Sequence, residues 1–204
     1  MKINYQLVCD EKIKELTENG NIPRLLLHSC CGPCSSYVLE YLSAFFEITV
    51  LFFNPNIYPE NEYEKRLSEQ KKLIESMNFK NPVSLLAVPY DYSEFLACIG
   101  GFEREREGGA RCMECFRLRL GRCAEIAKER GFDVFATTLS VSPHKNAPLL
   151  NSIGEELSEK YGVTYLPSDF KKREGYKRSI ELSKKYDIYR QEYCGCEFSL
   201  PREN

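Results

Sequence analysis

Residues 24–53 read RLLLHSCCGPCSSYVLEYLSAFFEITVLFF, and the fold turns on them. Arg24 to His28 is a short apolar run, which predicts a buried strand. Residues 35–46 carry Leu39, Leu42 and Phe46 at helical spacing and predict an amphipathic helix. Residues 47–53, EITVLFF, are β-branched and aromatic, which favours a second buried strand. A strand, a helix and a strand in this order form a parallel crossover unit.

The same alternation extends in both directions. Residues 10–19 predict a short amphipathic helix closed by Asn19-Gly20, and 54–59 a proline-stiffened loop. A charged helix is expected over 60–77, a strand over 84–88 and a helix over 92–99. Residues 100–111, where glycines flank a run of alternating charge, form the expected mobile loop. Further helices are expected from Cys112 to Gly131, over 146–161 and over 175–186, with strands at 134–138 and 163–166. An irregular tail then carries Cys194-Gly195-Cys196. The pattern predicts one α/β domain over residues 1–204, a parallel sheet with helices on both faces.

Ligands in such sheets sit beyond the carboxyl ends of the strands, where the strand order reverses. The loop from His28 to Cys34 leaves the first strand, and the loop from Thr137 to Asn146 leaves the fourth. Both therefore fall on one rim. Seven of the ten cysteines lie in three motifs: Cys30-Cys31-Gly32-Pro33-Cys34, Cys112-Met113-Glu114-Cys115 and Cys194-Gly195-Cys196. Cys30 and Cys31 would point to opposite faces of an extended strand, so a sharp turn at Gly32-Pro33 must bring their sulfurs together. Cys112 and Cys115 share one face of a helix's first turn, at the end whose dipole favours thiolate.

Two such pairs make a four-sulfur site, which suits zinc or an iron–sulfur cluster. A Cys-Cys pair at a strand end is foreign to the paired knuckles of zinc ribbons, and the ligand rim favours a working centre over a staple. The balance tips to the cluster, with zinc left open. Cys194 and Cys196 would close a small, strained and readily reduced disulfide ring, their alternative being further metal ligation. Cys34 is a further ligand or a packing residue under its helix. Cys9, Cys98 and Cys123 stand alone in helical patterns and read as buried small hydrophobes.

Composition narrows the class. The chain is 43% hydrophobic and 28% charged, with no tryptophan, an ordinary globular composition. No apolar run approaches the roughly 20 residues that cross a bilayer, so no membrane partner is expected. MKINYQLVCDEKIKE holds no apolar leader core, and the chain is long enough to build a core without staples. A reducing cytoplasm is the expected setting for so many thiols. A net charge of -2 does not announce a nucleic-acid binder. A local basic patch can still serve a nearly neutral protein, and the candidate is Lys171-Lys172-Arg173, then Lys177-Arg178 and Lys184-Lys185. Its competing reading is a solvated helix face.

Tyr176, Tyr189 and Tyr193 alternate with these cations, which fits a platform for unstacked bases. His28 and His144 are the only histidines, and a lone histidine near a strand end reads first as a satisfied core residue. Asp91 and Asp169 follow predicted strands as candidate ligands or proton donors. Lys145 and Asn146 stand where a helix N-terminus receives an anion.

Six blocks then point to a known family: LLLHSCCGPCSSYVLEYL, FFNPNIYPENEY, RCMECFRLRL, ATTLSVSPHKN, DFKKREGYKRS and YRQEYCGCEFS. Between Leu25 and Ser199 the chain resembles the cobalamin-independent, QueH-type epoxyqueuosine reductases, with no departure in the cysteine motifs. The resemblance implies an oxidoreductase that works without cobalamin. It would reduce the epoxide of epoxyqueuosine at the wobble position of certain tRNAs, the step that completes queuosine. It implies a four-iron, four-sulfur (4Fe-4S) cluster held by Cys30, Cys31, Cys112 and Cys115. It also implies a redox-active dithiol or disulfide at Cys194 and Cys196. A second, mononuclear metal (an adjacent iron) belongs with the cluster, Cys34 and an aspartate being its candidate ligands. The implied fold is similar to the PP-loop/HUP nucleotide-binding superfamily, whose pyrophosphate loop is replaced here by Ser-Cys-Cys-Gly-Pro-Cys. The expected partners are tRNA bearing epoxyqueuosine in its anticodon loop and an electron donor.

In this reading two electrons and two protons turn the epoxide into an alkene and water. Asp169 or a metal-bound water is the candidate acid for the departing oxygen, and Lys171, Lys172 and Arg173 are the candidate RNA contacts. One rival is a PP-loop-like enzyme that modifies tRNA with ATP, which needs a glycine-rich phosphate cradle that CCGPC lacks. Another is a zinc-stabilised tRNA-binding module without catalysis, which predicts zinc and no sulfide.

Overall fold

The computed structural model describes residues 3–200. Its strands are β1 (Arg24–His28), β2 (Glu47–Phe52), β3 (Val83–Ala87), β4 (Val134–Thr137) and β5 (Thr164–Tyr165). Its helices are α1 (Tyr5–Leu16), α2 (Gly32–Leu42), α3 (Glu60–Ser76), α4 (Tyr92–Cys98), α5 (Ala110–Glu129), α6 (Ala147–Tyr161) and α7 (Gly175–Lys185). Every strand pair is parallel, and the order is β3-β2-β1-β4-β5. This is the expected α/β sheet. Its order is that of doubly wound nucleotide-binding folds, in keeping with the superfamily likeness above.

Alternation along the strands explains why helices cover both faces. Leu25 and Leu27 of β1, Ile48 and Val50 of β2 and Val134 and Ala136 of β4 point into a core shared with α2. Leu26, Leu51 and Phe135 point the other way, into a core shared with α5 and α6. All but Ile48 are fully buried, and together they make the sheet the spine of the molecule. The order reverses between β1 and β4, so the loops leaving these two strands flank the switch point.

Two helices differ from expectation. The first starts at Tyr5 rather than residue 10, because the Asn4 side chain accepts from Gln6 N at 3.2 Å and caps it there. Asn19 and Gly20 belong to a separate short turn in which both have positive φ. The second starts at Gly32, with Cys31 as its N-cap, and ends at Leu42. Pro33 fits because a helix's first turn has no intrahelical acceptor for its N–H groups. Gly32-Pro33 is therefore the opening of α2, not a turn before it. The remaining bounds lie within two residues of expectation.

Residues 101–108 are exposed, as expected of the charged loop. The loop is nonetheless fastened: Arg111, itself buried, donates to the carbonyls of Glu103 and Glu105. Among the described residues, no helix is long and apolar enough to cross a membrane.

Candidate metal and redox centre

The loop after β1 is held by buried polar contacts. His28 is fully buried, with Nδ1 3.0 Å from Thr137 Oγ1 and Nε2 3.2 Å from the Phe53 carbonyl. The carbonyl can only accept, so Nε2 carries the proton and the Thr137 hydroxyl serves Nδ1. Burial pushes the His28 pKa down to about 3, with the Arg119 charge adding to the effect. It is a neutral strut between β1, β4 and the end of β2, which bears out the core reading.

One residue on, Asn54 Nδ2 donates to the Ser29 carbonyl at 2.8 Å. The hydroxyls of Ser29 and Ser35 lie 2.7 and 2.8 Å from Gln70 Oε1. These contacts fix where the next residues go.

The sulfurs of Cys30, Cys31 and Cys34 all lie within 4.8 Å of one another. Cys30 and Cys31 come as close as 3.7 Å, because Cys31 is extended and α2 begins immediately after it. Cys31 and Cys34 are the N-cap and third residue of that helix, positions whose side chains converge on its free N–H groups. Hydrogen bonds from the thiols of Cys30 and Cys34 hold Cys31 well below the ordinary thiol range. The hydrogen bond with Cys31, joined by burial and the Cys31 charge, pushes Cys30 up to about 11. The trio thus concentrates one negative charge on Cys31, where Gln191 Nε2 also donates at 2.9 Å.

Cys112 and Cys115 open α5, and both are buried. The structure places Cys112 in the same apolar cluster as Cys30, and Cys115 in a cluster with Cys196 and Cys98. Gly108 N donates to the Cys112 sulfur at 3.2 Å. The tight three-sulfur group therefore takes Cys34 as its third member, rather than either cysteine of α5. A cluster is larger than one ion, so its ligand sulfurs stand further apart than those of a mononuclear site.

Arg119 lies among these thiols, at 1% exposure and four residues after Cys115 on the same helix face. Cys115, Cys194, Cys30 and Cys196 all act on its charge. It donates to the Cys115 carbonyl at 3.3 Å and lies 3.4 Å from Asn54 Oδ1, while its Nη2 has no partner. A buried cation without a carboxylate is costly. Thiolates bound to metal supply the missing negative charge, so the donor set fits a thiolate-held centre.

The C-terminal tail closes the site from above. Arg66, buried and paired with Glu62 at 2.7 Å, donates to the Cys194 carbonyl at 3.2 Å. Tyr58 N donates to the Gly195 carbonyl at 2.8 Å, and Tyr189 N to Glu69 at 2.8 Å. Cys194 faces Lys145, whose Nζ is 2.9 Å from its sulfur. Between tail, α7 and the loops lies a cleft of about 780 Å³, lined by Cys30, Cys34, Lys145, Arg190, Tyr193 and Cys194 among others. All ten cysteines are unpaired.

Other expected site residues fall elsewhere. Asp169 is buried under Lys171, at 2.6 Å, and does not line the cleft. Asp91 is an exposed N-cap for α4, accepting from Ser93 N. Arg173 pairs with Asp10 on α1, and Lys172 is exposed. Asn146 caps α6 by accepting from Leu149 N, and His144 lines the cleft. Cys9 and Cys123 are fully buried as expected, whereas Cys98 is half-exposed at the edge of the Cys115 cluster.

A family model for epoxyqueuosine reductase QueH matches residues 25–202. The chain belongs to the QueH family. Its relatives include an epoxyqueuosine reductase QueH of Streptococcus pyogenes, 45% identical over 200 residues, covering 97% of this chain and 78% of that protein. One of Staphylococcus epidermidis is 42% identical, covering 99% of this chain and 87% of the relative. One of Thermotoga maritima is 37% identical, covering 86% and 90%. The match spans every cysteine motif, the tail included.

Four contributors were not read from the sequence of this family member: Arg119, Arg66, Gln191 and Arg190. A signal existed for the first, since Arg119 follows Cys112 and Cys115 at seven and four residues. Cys31-Gly32-Pro33-Cys34 likewise has the spacing of Cys112–Cys115 and opens a helix, which marks Cys34 as an equal of its neighbours. Arg66 and Gln191 reach the site only through tertiary folding.

Proposed function

We propose that this chain reduces the epoxide of epoxyqueuosine in tRNA to the alkene of queuosine, using a thiolate-held iron–sulfur cluster. The observation that carries the reading is the trio of Cys30, Cys31 and Cys34, within 4.8 Å at the wall of a cleft that Cys194 lines as well. The family gives the activity, and the cleft gives a place where soft-metal and dithiol chemistry meet one substrate.

Cys30, Cys31, Cys112 and Cys115 would hold the cluster, leaving Cys34 for an adjacent iron. Together these groups supply single electrons and a Lewis acid. The chain's own residues do the rest. Arg119 and Arg66 offset the thiolate charge, and the Gln191 amide hydrogen-bonds to the Cys31 sulfur. The tail and α2 exclude water from above and below. Lys145 holds its proton at Nζ beside Cys194 and inside the cleft. Cys194 and Cys196 store two electrons as a dithiol. The balance is epoxide plus two electrons and two protons giving alkene and water.

Tyr176 and Tyr193 line the cleft with Arg190 and Lys145, an aromatic and cationic wall for an unstacked base. A tRNA substrate supports a cytoplasmic setting. An ATP-using rival meets a crowded helix start: the space beside Gly32 is filled by Ile188 and the Glu69 backbone.

Protein purified without oxygen is assayed for iron, zinc and acid-labile sulfide, then given reductant and tRNA bearing epoxyqueuosine. The expected result is iron with sulfide, and a modified nucleoside lighter by one oxygen. Zinc without sulfide, and an unchanged nucleoside, would leave a tRNA-binding protein on a structural metal.

A further inference from the structure

Cys194 and Cys196 are two residues apart yet sit in opposite surroundings. Cys194 is half-buried, lines the cleft and has its sulfur 2.9 Å from Lys145 Nζ. Cys196 is 7% exposed, packs with Phe95, Ile99 and Cys115, and has Ser199 Oγ at 3.5 Å. Lys145 is itself held, with its side chain 9% exposed, Glu107 at 3.8 Å and the Phe116 ring at 5.7 Å. The other charged or titratable groups facing Cys194 are Arg119 and Cys115 from α5, and Arg66 from α3.

We propose that Cys194 is the sulfur through which the pair exchanges with an external dithiol reductant, that Cys196 resolves, and that Lys145 is a positioning residue holding the charge on Cys194. The proposal rests on reading the C-terminal pair as redox-active. The donor thiolate attacks the Cys194 sulfur of the oxidised pair. The Cys194–Cys196 bond breaks, and Cys196 leaves and takes a proton. The donor's second thiol loses its proton and attacks the donor sulfur of the mixed disulfide, and Cys194 leaves as a thiolate beside the Lys145 ammonium. The donor is oxidised to its disulfide and gives up two electrons and two protons. One proton goes to Cys196 and the other to solvent.

Access decides which sulfur the donor attacks, and the stability of Cys194 as a leaving group favours the second step, in which it departs. The cleft reaches Cys194, whereas Cys196 lies in an apolar cluster. An ammonium at hydrogen-bond distance stabilises a departing thiolate. Burial opposes the Lys145 charge, but the Cys194 thiolate outweighs it and holds Lys145 above the usual lysine range.

The tryptic peptide from Gln191 to Arg202 carries both cysteines, and fragmentation tells their labels apart. Metal-loaded protein, prepared and reduced without oxygen, is pulsed with limiting iodoacetamide. Label is expected on Cys194 over Cys196 by about ten-fold, with Lys145→Met slowing Cys194 by about ten-fold and Lys145→Arg restoring most of the rate. With glutathione disulfide as probe, Cys196→Ser protein should accumulate an adduct at Cys194, while Cys194→Ser protein should gain none at Cys196. Equal or faster labelling of Cys196, or a Lys145→Met rate equal to wild type, overturns the assignment. Diamide oxidation separates this failure from that of the underlying reading. A peptide that never loses two hydrogens removes the redox pair altogether, and the proposal with it.

Discussion

The Gln191 side-chain amide donates to the sulfur of Cys31 at 2.9 Å, across 160 residues of sequence. The contact ties the C-terminal tail to the thiol trio, so that the segment that carries Cys194 is registered against those three sulfurs. An N–H directed at a ligand sulfur stabilises the more negative, reduced state of a metal centre. Gln191→Leu should therefore lower the midpoint potential of the loaded protein by tens of millivolts, on the order of one hydrogen bond. Gln191→Glu should lower it further by adding a charge. Potentiometric titration followed by electron paramagnetic resonance measures both. An unchanged midpoint would mean that the amide turns away when metal binds.

Arg119 makes the opposite kind of prediction for the metal-free and loaded protein. Without metal it is a buried cation with no carboxylate and an unpartnered Nη2. Removing such a charge for an apolar side chain is commonly neutral or stabilising. Arg119→Met should leave the Tm of the metal-free protein within about 3 °C of wild type, or raise it. The same change should reduce iron bound per chain, because the thiolates lose their counter-charge, and Arg119→Lys should recover part of it. Thermal melts with and without metal, beside iron analysis, test the pair of effects. A large loss of Tm in the metal-free protein would assign Arg119 to packing instead.

Much of this was legible in the sequence because the strands are short apolar runs and the helices have capped, periodic faces. Leu25, Leu26 and Leu27 announce a strand buried on both sides, and the structure buries all three fully. The first helix was misplaced because its start depends on Asn4, a single polar cap with no apolar run before it. Gly32-Pro33 reads as a turn in isolation, since the two residues are common in turns and at helix starts alike; the commitment to a helix comes from α2 packing against α7 and the sheet. At the site, spacing revealed which cysteines belong to motifs. It did not reveal which sulfurs meet, because Cys34 joins Cys30 and Cys31 only when the helix begins at Gly32.

Gly195 is the residue that lets the tail present both of its sulfurs. Its φ is +120°, and a Cβ there would lie 2.9 Å from an Arg66 guanidinium nitrogen and 3.2 Å from Ile57. That backbone region costs a non-glycine residue about 1–3 kcal/mol. Gly195→Ala should thus loosen the tail and lower reductase activity several-fold, while iron content stays at the wild-type level, since no cluster ligand moves. Peptide-resolved hydrogen exchange should show faster exchange at Tyr58, whose N–H bonds to the Gly195 carbonyl. Full activity in Gly195→Ala would show that the spacing tolerates a side chain and that the tail's conformation is not needed.

The basic run that the sequence singles out is largely spoken for. Lys171 pairs with Asp169 at 2.6 Å, Arg173 with Asp10, Lys177 with Glu174 at 3.3 Å and Arg178 with Glu40 at 2.8 Å. Charge reversal at Lys171 would set an acid against buried Asp169 and confuse folding with binding. Arg190 is different: it lines the cleft, is held by Ser183 Oγ at 3.2 Å and lies over the Tyr176 ring at 5.8 Å. Each phosphate contact on a single strand contributes about 0.7 to the slope of log affinity against log salt. Arg190→Ala should weaken tRNA binding and flatten that slope by about 0.7, and Lys172→Ala should act less strongly in the same direction. Arg173→Ala should leave the slope unchanged and cost at most about 1 kcal/mol of stability, as a half-exposed ion pair. Binding titrations at several salt concentrations decide between the surfaces. A slope that changes in Arg173→Ala and not in Arg190→Ala would move the RNA from the cleft to the face formed by α1 and α7.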